Sequence, residues 1–329
     1  MTEFSILDDS MEWQKDFERR LRTSYTVAGL AAATVERMLE DARASIGDWT
    51  VAEITAAGTR VGYEAVVVTD DNGAFAGRIG DLHVDALHAG RGHEQAARDW
   101  AEAWCAQRGA RRLDIRLTEP AGELFNGYGV RGQLRARRVS SPPEPLDGVT
   151  ARPMTPAEYP EWLTSEKAAY VGDIVRAGAL SPEEAVRKSD QDFAKLIPEG
   201  LATPGNTFLV LEAVGEQIGT GWLKHGHLPE VTYGYSLYIQ DQHRGKGYGR
   251  AAMAAGEQAT LAAGDSTLMF TVWGGNEVAM NLYTSAGYQV IEESRSIDLP
   301  APQHDKPVAR RNRRATGLSC RPQTQLLTL

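Results

Sequence analysis

Two stretches far apart in the chain repeat one pattern, and that repetition limits the fold more than any other feature. His88-Ala89-Gly90-Arg91-Gly92-His93-Glu94-Gln95-Ala96-Ala97 lies beside His243-Arg244-Gly245-Lys246-Gly247-Tyr248-Gly249-Arg250-Ala251-Ala252, with a histidine, two glycines and an alanine pair in register. Leu124 to Gly129 likewise lies beside Leu282 to Gly287. Around both pairs the order of elements is the same: a helical opening, three strands, a helix, a strand, a short helix and a strand. Each copy is far longer than a solenoid unit, so the pattern reads as an internal duplication that made two domains.

In the first copy, Met11 to Gly47 is expected to be helical, followed by strands at Trp49–Ala57, Val61–Val68 and Ala74–Val84. Asp70-Asp71-Asn72-Gly73 is a hairpin turn between the last two. A helix over Glu94–Arg108, a strand over Arg111–Leu117, a short helix over Glu123–Tyr128 and a strand over Gln133–Val139 complete the copy. Ser140 to Pro145 holds three prolines in four positions and reads as a spacer. The second copy opens with a strand at Thr150–Met154 and two helices, Pro156–Gly178 and Pro182–Leu196. Each helix has proline in its first turn, and Ser181 caps the second. Strands follow at Thr207–Val214, Gln217–Lys224 and Val231–Ile239. After the glycine-rich stretch come a helix to Ala263, a strand at Leu268–Trp273, a helix at Glu277–Ser285 and a strand at Tyr288–Ile297. The expected boundaries are a first domain over 1–140, a linker over 141–148, a second domain over 149–299 and a tail over 300–329.

A strand, a glycine-rich turn and a helix present unpaired N–H groups at the positive end of a helix, an arrangement that binds phosphate or pyrophosphate. In the second copy Gly245, Gly247 and Gly249 let the backbone approach a ligand, and Arg244, Lys246 and Arg250 add charge at the same point. A Walker loop would need Gly-Lys-Ser/Thr, and here Gly245-Lys246 runs into Gly247. A dinucleotide fingerprint would follow the first strand of a βαβ unit, whereas this loop follows a run of antiparallel-looking strands.

The composition is that of a globular protein, 42% hydrophobic and 24% charged. No apolar run is long enough to span a membrane, and Met1 to Ser10 lacks the features of a secretory signal. The two cysteines, Cys105 and Cys320, make neither a disulfide framework nor a zinc site. The expectation is a cytoplasmic protein without a metal. A net charge of −9 argues against nucleic-acid binding by the folded body. The tail runs the other way, with Lys306, Arg310, Arg311, Arg313, Arg314 and Arg321 against Asp305. It reads as a flexible terminus, or as a contact for a polyanion such as RNA.

The second copy resembles the GNAT superfamily of N-acetyltransferases. Arg244, Gly247 and Gly249 match its Gln/Arg-x-x-Gly-x-Gly/Ala loop, and Asn276, Ala279, Leu282-Tyr283 and Gly287-Tyr288 match its second signature at the expected distance. The resemblance to bacterial members extends through Ala177 to Ala185 and Leu196 to Gly205, and covers Val149 to Leu299. Tandem bacterial acetyltransferases of the mycothiol synthase type are similar in arrangement. The resemblance implies an α/β fold of two tandem GNAT-type domains, each a mixed, mostly antiparallel sheet flanked by helices.

It also implies acyl transfer from acetyl-CoA, or another acyl-CoA, to the amine of a small molecule by direct attack. Backbone N–H groups of Arg244, Gly245, Lys246, Gly247, Tyr248, Gly249 and Arg250 would hold the pyrophosphate. Leu237, Tyr238 and Ile239 would pair with the pantetheine arm like an added strand. Asn276 would touch the cosubstrate, and Tyr283 would protonate the departing thiolate. Ser236 and Tyr238 stand where relatives often carry acids, which leaves the general base open. Trp162, Glu166, Tyr170 and Asp173 recur near one helix face. Glu166 and Asp173 are the leading candidates for the base, with His225 and His227 also possible. The first copy has Ala89 for Arg244, Glu94 for Gly249 and Phe125 for Tyr283, and reads as a degenerate domain that lost catalysis. Two other readings remain: an aminoacyl-tRNA donor held by the basic tail, and a non-catalytic acyl-CoA-binding interaction protein. The acceptor and the choice between monomer and homodimer stay open.

Overall fold

A computed structural model describes residues 1–71, 74–119, 122–144, 148–176 and 181–300. Asn72 and Gly73 of the expected hairpin turn, Pro145, Ala177 to Leu180 and the basic tail beyond Pro300 with Cys320 lie outside the described residues. The first half carries β1 (Thr2–Ile6), α1 (Met11–Val27), α2 (Ala32–Ser45), β2 (Thr50–Ala56), β3 (Thr59–Asp71), β4 (Ala74–Val84), α3 (His93–Gln107), β5 (Arg112–Leu117) and β6 (Gly129–Arg138). The second carries β7 (Val149–Pro153), α4 (Tyr159–Arg176), α5 (Pro182–Leu196), β8 (Asn206–Ala213), β9 (Glu216–Leu228), β10 (Val231–Ile239), α6 (Tyr248–Ala262), β11 (Thr267–Trp273), α7 (Glu277–Ser285) and β12 (Gln289–Asp298).

These elements form two compact units. The first comprises Met1–Ala28, Val35–Gln133 and the described residues from Ile291 onward. Its strands run in the order β1-β2-β3-β4-β5-β12. Pairing is antiparallel from β1 to β4 and between β5 and β12, and parallel between β4 and β5. Helix α3 lies on this sheet through Ala97, Ala101 and Cys105, all fully buried at four-residue spacing. Gly77 is what permits so close an approach: a Cβ there would stand 2.8 Å from Cys105 Sγ. The helical opening expected over Met11 to Gly47 is two helices, α1 and α2, because Gly29 takes a left-handed φ of 81° between them. Strand β1, unforeseen from the sequence, pairs with β2 from Thr2↔Ala56 to Ile6↔Ala52. The short helix expected over Glu123–Tyr128 is a run of tight turns, closed by Asn126 N–H to Glu123 O and Tyr128 N–H to Phe125 O. Glycines at 122, 127 and 129 disfavour a continuous helix there.

The second unit comprises Gly29–Thr34 and Leu134–Val290. Its strands run β6-β11-β10-β9-β8-β7, with β6 entering through Leu134 to Arg138. Strands β7 to β10 are antiparallel, and β10 and β11 are parallel. Side chains alternate across this sheet. On one face Trp222 packs with Trp162 of α4, Phe193 of α5, Phe208 and Tyr235, with ring centroids 4.5–5.9 Å apart. Its neighbour Leu223 points to the other face and joins Met253 of α6, Leu268 and Phe270. The sheet is thus flanked by α4 and α5 on one side and α6 on the other. Helix α5 begins in a full capping box: Ser181 accepts from Glu184 N–H and the Glu184 carboxylate reaches back to Ser181 N–H. Among the described residues, no helix is long and apolar enough to cross a membrane.

Candidate active site

The parallel pairing of β10 with β11 runs only from Val231↔Thr267 to Gly234↔Phe270. Beyond Gly234, β10 continues to pair with β9 as far as Ile239↔Gly219, so its other edge opens away from β11. Register shifts near Tyr235 accompany the change of direction. A cavity of about 240 Å³ occupies the opening. Gly234 to Tyr238, Phe270 to Trp273, Asn276 and Tyr283 line it, with Glu166, Tyr170 and Asp173 from α4.

Beyond the last residues of β10 lies the glycine loop. Gly245 and Gly247 have φ of 76° and 85°, and a Cβ at either would meet nothing within 4 Å. Glycine is needed at these two positions for backbone conformation rather than for space. Gly249 is different: a Cβ there would stand 2.8 Å from Leu282 Cδ2, so this glycine lets the start of α6 pack against α7. Gly247 caps α6 without a side-chain bond, and the first turn holds no acid. Among the described residues, the N–H groups of Gly245 to Gly249 find no acceptor, and the first that does is Arg250, on Gly247 O at 3.0 Å. Arg244 is engaged, with Asp241 at 2.8 Å and Ile239 O at 3.1 Å. Lys246 and Arg250 are exposed. The arrangement can take an anion on backbone donors with cations at its rim.

The matching loop of the first unit keeps the backbone and fills it. Gly90 and Gly92 have φ of 72° and 87°, and Gly92 caps α3 in the same left-handed conformation. Glu94 then turns its carboxylate back to accept the Gly90 N–H at 2.9 Å.

Helix α4 supplies a carboxyl to the cavity. Glu166 Oε1 accepts from Ser236 Oγ at 2.8 Å. Burial raises the Glu166 pKa, and the Ser236 hydrogen bond opposes the rise. A carboxyl thus reaches across from α4 to Ser236 of β10. Tyr283 packs on Phe270 with centroids 4.4 Å apart, and burial raises its pKa against a smaller opposing effect of Arg135. At neutral pH it is a phenol able to donate a proton. Asn276 caps α7, accepting from Ala279 N–H at 3.2 Å.

The cavity thus brings together Glu166, Asp173, Leu237, Tyr238, Asn276 and Tyr283. Ile239 and residues 244–250 are not on its wall. His225 is also elsewhere, with its ring between Thr207 and Thr232, each at 2.8 Å. Thr232 donates onward to Asp265 at 2.6 Å, so His225 Nδ1 donates to Thr232 and Nε2 accepts from Thr207. His227 lies tilted against Tyr233, with centroids 4.8 Å apart. Sequence reasoning missed Trp273, Met253 and Tyr235 on the cavity wall. It also missed Arg135 of β6, buried and donating to Thr284 Oγ1 at 2.8 Å. Among the described residues no cluster of three or more metal-ligating side chains occurs.

Residues 175–288 match the acetyltransferase (GNAT) family. An uncharacterized N-acetyltransferase of Bacillus subtilis, YycN, is 34% identical over 143 residues, which is 42% of this chain and 90% of the relative. The chain belongs to the GNAT acetyltransferase family. A mycothiol acetyltransferase of Streptomyces avermitilis is 28% identical over 254 residues, 73% of this chain and 76% of that one, so likeness within the family is not confined to one half. The solved GCN5-related N-acetyltransferase of Sphaerobacter thermophilus shares the fold, with a TM-score of 0.53 at 16% identity over 91% of this chain and 96% of that one. As a GNAT enzyme the chain is an acyltransferase that moves an acyl group from acyl-CoA to an amine.

Proposed function

We propose that the cavity of the second unit is the acyl-transfer site and that acetyl-CoA is the donor to a small-molecule amine. The observation that carries this reading is that Glu166 and Tyr283, on different elements, line one cavity where β10 parts from β11. The pyrophosphate would sit on the free N–H groups of Gly245 to Gly249, with Lys246 and Arg250 beside it. The pantetheine arm would lie along the free edge of β10 at Leu237 to Ile239, and Asn276 would face it from α7. Glu166 takes a proton from the incoming ammonium, a task suited to a carboxyl whose pKa burial has raised. The neutral amine attacks the thioester carbonyl, the C–S bond breaks, and Tyr283 protonates the sulfur. Asp173 is the outer carboxyl of the same cavity. The working domain on this reading is the second unit, so the expected 149–299 gains Leu134 to Arg138 and gives up the stretch from Ile291, which belongs with β5 in the first unit.

Calorimetric titration with acetyl-CoA tests the reading. The wild-type chain binds, and Lys246→Glu, an exposed charge reversal at the loop, weakens binding by about tenfold, which is about 1.4 kcal/mol. Absence of binding to the wild-type chain, or equal affinity in the two proteins, overturns the assignment of the loop.

A further inference from the structure

The α4 wall of the cavity carries a charge pattern that acyl transfer alone does not require. Glu166, Ala169, Tyr170 and Asp173 all line the cavity, and their spacing of three, four and seven residues keeps them on one helix face. Seven residues of helix rise about 10 Å, so the two carboxyls are separate points with a methyl group and an aromatic ring between them. Among the described residues that line the cavity there is no lysine, arginine or histidine. The hydroxyl of Tyr170 is committed to Asp192 at 2.9 Å, which leaves its ring as the surface it offers. Asp173 Oδ1 accepts from Arg176 at 2.6 Å, but that arginine is 77% exposed, and so open a pair yields readily to a buried cation. Tyr235, Tyr238 and Trp273 supply further aromatic surface, and the Trp273 indole N–H is buried without a partner.

We propose that the acceptor is a diamine without a carboxylate, held along α4 with its reacting nitrogen at Glu166, its second ammonium at Asp173 and its carbon chain across Ala169 and Tyr170. The inference rests on the cavity being the acyl-transfer site. An amino acid of similar length would set its carboxylate against a wall with two carboxyls and no cation among the described lining residues, the exposed Arg176 being already held by Asp173, a placement that desolvation and like charge both oppose. A monoamine would leave Asp173 to the exposed Arg176 alone and gain nothing from it. Aromatic faces around an alkylammonium add cation–π attraction to the same preference. In the reaction the ammonium at Glu166 loses one proton before attack and one after it, while the N–C bond forms and the C–S bond breaks. One proton is balanced by the one that reaches the coenzyme A sulfur from Tyr283, and the other goes to solvent. The second ammonium is unchanged.

The test uses the full chain with acetyl-CoA and follows thiol release. α,ω-Diaminoalkanes of increasing length are compared with monoamines and ω-amino acids of the same length. The diamines show an optimum length, with kcat/KM at least about tenfold above the matched monoamine, and the ω-amino acids fall below the monoamines. Asp173→Asn draws the diamine-to-monoamine ratio toward one. Equal use of diamines and ω-amino acids, a flat length profile, or a ratio untouched by Asp173→Asn overturns the inference. The length profile of the wild-type chain decides the matter even where the variant does not fold. If acetyl-CoA binds and other amines react while diamines do not excel, the diamine inference falls and the acyl-transfer reading stands. If acetyl-CoA does not bind and no amine releases thiol, both fall.

Discussion

Ser236→Ala isolates the hydrogen bond that tunes Glu166. The hydroxyl donates to the carboxylate at 2.8 Å in a buried setting, and with a smaller contribution from Trp162 it holds the Glu166 pKa down against burial. A hydrogen bond to a charged group contributes about 1.5–3 kcal/mol. Its removal takes that support from the ionised form, so the Glu166 pKa rises further above the ordinary carboxylate range. A general base works ionised, so activity is lost as pH falls through its pKa. The assay is kcat/KM against pH for one reactive amine, with the same acceptor in both proteins so that its own titration cancels. The acidic limb of the variant moves to higher pH, and activity returns toward wild type on the alkaline side. An acidic limb that does not move refutes the reasoning. So does a loss of equal size at every pH, which would mean that Ser236 touches the substrate rather than the base.

Two further predictions concern the first unit. Gly77→Ala places a methyl group 2.8 Å from Cys105 Sγ and Cβ, between a sheet and the buried face of α3. Chemical denaturation is expected to show a loss of about 1–3 kcal/mol, and an unchanged midpoint contradicts the packing account. Glu64 is fully buried on β3 with neither carboxyl oxygen hydrogen-bonded, and burial followed by the charge of Asp81 pushes its pKa well above the ordinary value. A carboxyl whose folded pKa is raised stabilises the fold below its unfolded pKa and loses that contribution as pH rises through the folded value. Glu64→Gln therefore flattens the decline of Tm as pH rises above the ordinary glutamate range, and equal slopes in the two proteins contradict the assignment.

Local signals carried most of the elements. The glycine loop, the Ser181 cap and the α7 boundaries are written in neighbouring residues, where turn chemistry and capping act. Glu166 and Asp173 were legible because one helical face carries them both, and the signature around Tyr283 was legible because its spacing is that of α7. What the sequence concealed depends on pairing across long separations. Arg135 and Arg137 stand before the proline-rich stretch, yet they serve the second unit: Arg137 pairs with buried Glu257 at 2.8 Å, and Tyr288 donates to the same carboxylate at 2.7 Å. No periodicity announces a strand that pairs outside its own copy of the repeat. Ser236 looked like a lost acid until the fold set it opposite Glu166. Gly249 looked like a ligand-approach glycine, whereas the side chain its absent Cβ makes room for is Leu282.

The central claim is that Tyr283 and Glu166 act on opposite sides of one reaction in the cavity of the second unit. Steady-state turnover of Tyr283→Phe, measured beside its affinity for acetyl-CoA, tests this most directly. Phenylalanine keeps the ring against Phe270 and removes only the hydroxyl, so the packing that holds α7 persists. The account predicts a fall in kcat of about 100-fold or more, in the range general acid catalysis supplies, with acetyl-CoA affinity within about twofold of wild type. Turnover equal to wild type would contradict it.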